Sequence, residues 1–160
     1  METPEQLMNE VATELARARK AYCDGACRVS NPGITACAWV IYDGDREVSQ
    51  AKYLGPELHS NNFAEYQGLT LLLEYLYMHS IRNVIIYSDS ELVVQQTLGN
   101  WEVKQPDLKV LATKCYGLLV QGCHVLKHIK GHEGNKGNER ADELCNAVLD
   151  IHKEEYEKLA

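Results

Sequence analysis

At 160 residues with 45% hydrophobic side chains, the chain is long enough for one domain with a real core and too apolar to be intrinsically disordered. Its net charge of −7 excludes a wholly basic nucleic-acid binder, and no apolar run reaches the ~20 residues of a membrane span. The first 19 residues are acidic and amphipathic, with no apolar signal core, so a cytoplasmic protein with no membrane partner is expected.

In chain order, Leu7, Val11 and Leu15 recur at helical spacing and predict a helix over residues 1–17, a helical extension ahead of the first strand. The remainder, 18–160, reads as a single domain. A first strand covers about Ala18 to Cys27, and Asn31-Pro32-Gly33 signals a turn. A second strand follows from Ile34 to Tyr42. Asp43-Gly44 then predicts a hairpin, returning as a third, antiparallel strand from about Arg46 to Leu54.

From about Asn62 to His79 a helix carries Leu69, Leu72, Leu73 and Leu76 on one face, with Glu65 as the polar tip of that stripe. Asn83 to Ser88 is an unbroken apolar run of the kind found in central, parallel strands. A short helix from Ser90 to Leu98 stops at Gly99. A loop leads to a third helix over Asp107 to Val120, with Leu108, Leu111, Cys115 and Leu118/Leu119 on its apolar face. A fifth strand spans His124 to Ile129. The loop from Gly131 to Gly137 opens the last helix, about Glu139 to Leu159. An antiparallel meander followed by helix-linked strands gives one mixed sheet with helices on its faces, an α/β domain.

Four acids stand where these elements begin or end: Asp24, Glu65, Asp89 and Asp142. Each has a bland reading. Asp24-Gly25 can be a turn, Asn62-x-x-Glu65 a capping box, Ser88-Asp89-Ser90 a helix cap, and Asp142 a charge favoured near a helix start. Jointly those readings weaken, because one sheet can gather all four at its strand ends. A carboxylate cluster repels itself unless cations fill it, and hard oxygen ligands suit Mg²⁺ or Mn²⁺. Metal-assisted phosphoryl chemistry follows. His132, between glycines in a loop, is either an exposed histidine or a proton carrier. From Trp101 to Arg140 seven basic residues face four acidic ones, a local excess that can track phosphates or simply be solvated. The six cysteines contain no C-x-x-C pair, which argues against zinc; most read as small buried hydrophobes, with Cys27 near a loop.

The runs Tyr22-Cys23-Asp24-Gly25-Ala26, Ser60-Asn61-Asn62-Phe63-Ala64-Glu65, Tyr87-Ser88-Asp89-Ser90, Lys130-Gly131-His132-x-Gly134 and Asn138-Glu139-Arg140-Ala141-Asp142-Glu143-Leu144 together resemble type 1 ribonuclease H, in the family's order and spacing. The resemblance covers roughly Lys20 to Leu149. It implies a ribonuclease H-like sheet in the order 3-2-1-4-5 with strand 2 antiparallel. It implies endonucleolytic hydrolysis of the RNA strand of an RNA–DNA hybrid by two Mg²⁺ ions, with Mn²⁺ able to substitute, leaving 5′-phosphate and 3′-hydroxyl ends. By match, Asp24, Glu65, Asp89 and Asp142 hold metal, His132 assists proton transfer or product release, and Asn31, Asn61 and Asn62 touch the hybrid. A monomer is expected.

Two departures stand out. The stretch from Gly99 to Pro106 leaves no room for the basic protrusion of some bacterial members, and Glu91 adds a negative charge where many carry a neutral residue. Both predict weaker substrate binding. Two other readings compete: a DNA-cutting nuclease or transposase-like enzyme on the same fold, and a catalytically silent hybrid-binding module. The paired asparagines and the His132 loop argue against the first. The intact acidic quartet argues against the second.

Overall fold

The computed structural model describes residues 1–17, 19–131 and 135–157. Helix α1 (Pro4–Arg17) precedes strand β1 (Lys20–Arg28). Strands β2 (Ile34–Asp43) and β3 (Arg46–Tyr53) form the expected hairpin, closing at the Asp43–Arg46 pair with Gly44 at a φ of 63°. That positive φ costs a glycine little, which is why the turn falls there. Helix α2 (Asn61–Met78) crosses to β4 (Ile85–Ser88). Helices α3 (Glu91–Thr97) and α4 (Pro106–Gly122) lead to β5 (Val125–His128), and α5 (Lys136–Ile151) and α6 (Lys153–Glu157) finish the described chain.

The sheet order is β3-β2-β1-β4-β5. β1 is antiparallel to β2 and parallel to β4, and β4 is parallel to β5. Alternation along the strands divides the side chains between two faces. Ala21, Cys23, Trp39, Ile41, Ile86 and Leu126 pack with Leu69, Leu72, Leu73 and Leu76 of α2 and with Leu108, Ala112, Cys115 and Leu119 of α4. Each fully buried leucine there contributes about 1.5–3 kcal/mol. On the other face a smaller cluster joins Ile34 and Ala36 to Leu149 of α5. Helices therefore cover both faces, and the carboxyl ends of β1 and β4 lie between them.

Several local expectations change. Leu111 and Leu118 are only half-buried; Ala112 takes the inward position instead. The cap of α2 is Ser60, whose Oγ accepts from the Phe63 N–H at 3.0 Å, so Asn62 and Glu65 do not form a capping box. The last helix starts three residues early, because the Asn135 side chain caps it by accepting from the Asn138 N–H at 3.0 Å. It also breaks at His152, whose ring stacks on Tyr53 at 3.7 Å. In α1, Leu7 and Val11 remain 49% and 55% exposed, so this end of its apolar stripe meets no core. Cys27 is half-buried, whereas Cys123 is the exposed thiol. Among the described residues no helix is long and apolar enough to cross a membrane.

Candidate active site

Asp24 lies inside β1, not in a turn. The glycine after it serves close approach: a Cβ at Gly25 would collide with the Ala64–Glu65 backbone. Gly68 does the same from the helix side, since a Cβ there would lie 2.6 Å from the Asp24 carbonyl oxygen. The first turns of α2 therefore settle directly on β1, and Glu65 is brought beside Asp24. The parallel register pairs Cys23 with Ser88, which delivers Asp89, the next residue, to the same strand ends. Ser88 Oγ accepts from the Ser90 N–H at 3.1 Å and Ser90 Oγ caps α3 through the Val93 N–H at 3.3 Å. The strand-to-helix turn around Asp89 is thus fixed by its neighbours.

One carboxylate oxygen from each of Asp24, Glu65 and Asp89 lies within 4.8 Å of the other two. Asp24 is 4% exposed and Glu65 8%. Burial, and then the Asp89 charge, pushes the Asp24 carboxyl up to about 8; the Gly25 N–H opposes the shift and Asp142 adds to it. Glu65 is raised well above its ordinary value, first by burial and then by Asp24 and Asp89. Its Oε2 is buried with no hydrogen-bond partner. Three converging carboxylates, one of which also carries an unmet buried oxygen, form a hard, anionic donor set that fits a divalent cation such as Mg²⁺ or Mn²⁺.

The other expected residues are distributed around this group. Asp142 is exposed on α5 and lies outside the three-oxygen group. Its charge nevertheless raises Asp24 and Cys145, so it acts on the cluster from its rim. Asn31 Oδ1 accepts from the Asn61 N–H at 3.0 Å. The paired hydrogen bonds between Gly33 and His59, at 2.9 and 3.0 Å, hold the same two loops together. Asn31 and Asn61 are exposed and Asn62 half-buried, at the start of the helix that carries Glu65. His132 lies outside the described residues. Glu91 is exposed in the first turn of α3.

One residue was not singled out from the sequence. Asn138, 4% exposed, donates from Nδ2 to Asp89 Oδ2 at 3.3 Å. Its signal is positional: it precedes Asp142 by one helical turn and so shares its face.

A model of the RNase H family matches residues 16–150. Ribonuclease HI of Halobacterium salinarum is 34% identical over 131 residues, 81% of this chain and 63% of that protein. Ribonuclease H of Francisella philomiragia is 32% identical over 142 residues, 81% of this chain and 89% of that protein. The chain thus spans rather less than two thirds of the archaeal relative and most of the bacterial one. Among solved structures, RNase H1 of Halobacterium salinarum NRC-1 superposes with a TM-score of 0.69 at 32% identity, covering 84% of this chain and 98% of that one. LC11-RNase H1 in complex with an RNA/DNA hybrid superposes at 0.72 and 32% identity with the same coverage. By family match, by identity and by the sheet order that places its acidic cluster, this chain belongs to the RNase H family, a family of metal-dependent endoribonucleases.

Proposed function

We propose that the protein hydrolyses the RNA strand of RNA–DNA hybrids endonucleolytically, leaving 5′-phosphate and 3′-hydroxyl ends. The observation that carries this is the Asp24–Glu65–Asp89 group, with its three oxygens within 4.8 Å and its unmet Glu65 Oε2, in a chain similar to an enzyme solved with a hybrid. In this reading Asp24, Glu65 and Asp89, joined by Asp142 from the rim, hold two Mg²⁺ ions, with Mn²⁺ as substitute. Such ions, when bound, supply an activated water and stabilise the leaving 3′ oxygen.

The protein's own part is to concentrate negative charge where a polyanion must lie. Cations held there attract the phosphate that bare carboxylates would repel. Asn31, Asn61 and Asn62 read the hybrid beside the cleavage point. The Asn31 carbonyl is taken up by Asn61, so its amide NH₂ is the group it offers to a 2′-hydroxyl or sugar oxygen. His132 moves a proton during departure of the product. The catalytic domain is 18–160, with 1–17 as a helical extension. A monomeric, cytoplasmic enzyme is part of the proposal; the free thiols suit a reducing compartment.

The test is a labelled substrate panel of RNA–DNA hybrid, duplex DNA, duplex RNA and junction, each with Mg²⁺, Mn²⁺ or EDTA. Hybrid-specific cutting with either metal, abolished by EDTA, is the expected outcome. Cutting of duplex DNA with the hybrid left intact would move the protein to the DNA-cutting members of the fold.

A further inference from the structure

Asp89 stands one residue beyond the end of β4, past the strand pairing that fixes Asp24. Two neighbours confine its carboxylate. The Gly131 backbone passes so close that a Cβ there would lie 3.2 Å from Asp89 Oδ2. Asn138 donates to that same oxygen from Nδ2 at 3.3 Å. In this bond the side-chain amide presents its NH₂, its donor end, to the carboxylate.

The rest of Asn138 shows what the side chain is for. It is 4% exposed, and its Oδ1 is buried without a partner. A buried amide with an unmet carbonyl is unfavourable, and native proteins keep few of them. Helix capping does not account for it. The α5 cap uses the Asn138 backbone N–H, donated to Asn135 Oδ1 at 3.0 Å, and any residue but proline would supply that. What the side chain adds is the contact to Asp89. Asp142 follows four residues later, on the same helical face. The bond therefore also registers the part of α5 that carries Asp142 on the acidic cluster.

We propose that Asn138 is a positioning residue of the metal site: its amide holds the Asp89 carboxylate against Asp24 and Glu65 and docks the Asp142 face of α5 beside them. The inference rests on the metal-site reading given above. Groups that orient metal ligands in this way typically change metal affinity or activity by about 10–100-fold when removed.

The test is calorimetric titration of Mn²⁺ into the substrate-free protein, well below its melting temperature. Asn138→Ala should bind Mn²⁺ about tenfold more weakly than wild type. In an Asp89→Ala background the same replacement should cost nothing further, because no side-chain oxygen is left there for Asn138 to hold. Asn138→Gln, which keeps the amide but displaces it by one methylene, should also weaken Mn²⁺ binding and carries the test where the alanine variant does not fold. A merely structural role would lower the melting temperature in EDTA and leave Mn²⁺ affinity unchanged. Unchanged affinity in the folded Asn138 variants overturns the proposal, as do losses that simply add in the double variant. Failure of the wild type itself to take up Mn²⁺ would remove the metal-site reading with it. Uptake by wild type and variants alike would remove only the role of Asn138.

Discussion

At the residue scale, Asp24 is one of two buried acids whose charge the fold disfavours. Its carboxyl is held near 8, against an ordinary 3.8, because burial and the neighbouring acids disfavour its charge. The folded, metal-free protein therefore binds more protons than the unfolded chain between those two values. The associated stability is fully present below about 3.8 and is lost as pH rises through about 8. In EDTA the melting temperature should fall by several degrees across that window, and saturating Mg²⁺ should restore it at the alkaline end. Asp24→Asn removes the charge while keeping the shape. It should lessen the pH dependence, leaving the part that buried Glu65 contributes, melt at or above the wild-type temperature near pH 8, and cut hybrid cleavage by at least ~10²-fold. A variant that still cleaves near the wild-type rate with Mg²⁺ would take Asp24 out of the site.

At the scale of the elements, the approach of α2 to β1 decides whether Glu65 reaches Asp24. Gly25 permits it, since a side chain there would meet the Ala64–Glu65 backbone, which cannot swing aside as a flexible side chain could. Gly25→Ala should destabilise the protein by about 1–3 kcal/mol, the range of overpacking, and should lower cleavage more than ten-fold at temperatures where it is still folded. Thermal melts and rates on the same samples separate the two effects; normal values of both would mean that α2 yields easily. The strands and helices were legible because their apolar periods are clean: the Leu69-Leu72-Leu73-Leu76 face is buried throughout and β4 is central and parallel. Less legible were features set by tertiary contact. The Asp24-Gly25 pair mimics a turn, and its real reason, the approach of a helix from 40 residues on, has no local signature. Ser60 outcompetes Asn62 for the cap, and the break at His152 accompanies a stack on Tyr53 that periodicity cannot foretell. At the site, four acids were picked out from the sequence, yet three converge closely and Asp142 stands at the rim. Spacing gives the helix face of a side chain, not its reach.

For the whole molecule, charge and outline set how a polyanionic substrate is met. The chain carries −7, and α3 connects to α4 through residues 98–105 with no helix between them. Glu91 adds an exposed negative charge at the start of α3. The net negative charge and Glu91 oppose a polyanion, so the salt-dependent attraction is expected to be weaker than in a member with a basic protrusion. KM for a hybrid should therefore exceed that of a family member bearing the basic protrusion at every salt concentration, by about ten-fold at 0.1 M. Parallel KM determinations across a salt series decide it, and equal values throughout would mean that other surfaces supply the attraction.

The carboxylates come from a strand, a helix and the end of a second strand, at positions 24, 65 and 89, far apart along the backbone. Bringing them together needs β1, α2 and β4 assembled at once, so the site depends on tertiary structure and not on any single segment. Cation binding is then a reporter of global cooperativity. In a urea series, loss of Mn²⁺ binding should coincide with loss of far-ultraviolet ellipticity, as expected of a two-state domain. Cation binding that disappears at lower urea than the ellipticity would reveal that one carrier, helix or strand, leaves the sheet ahead of the rest.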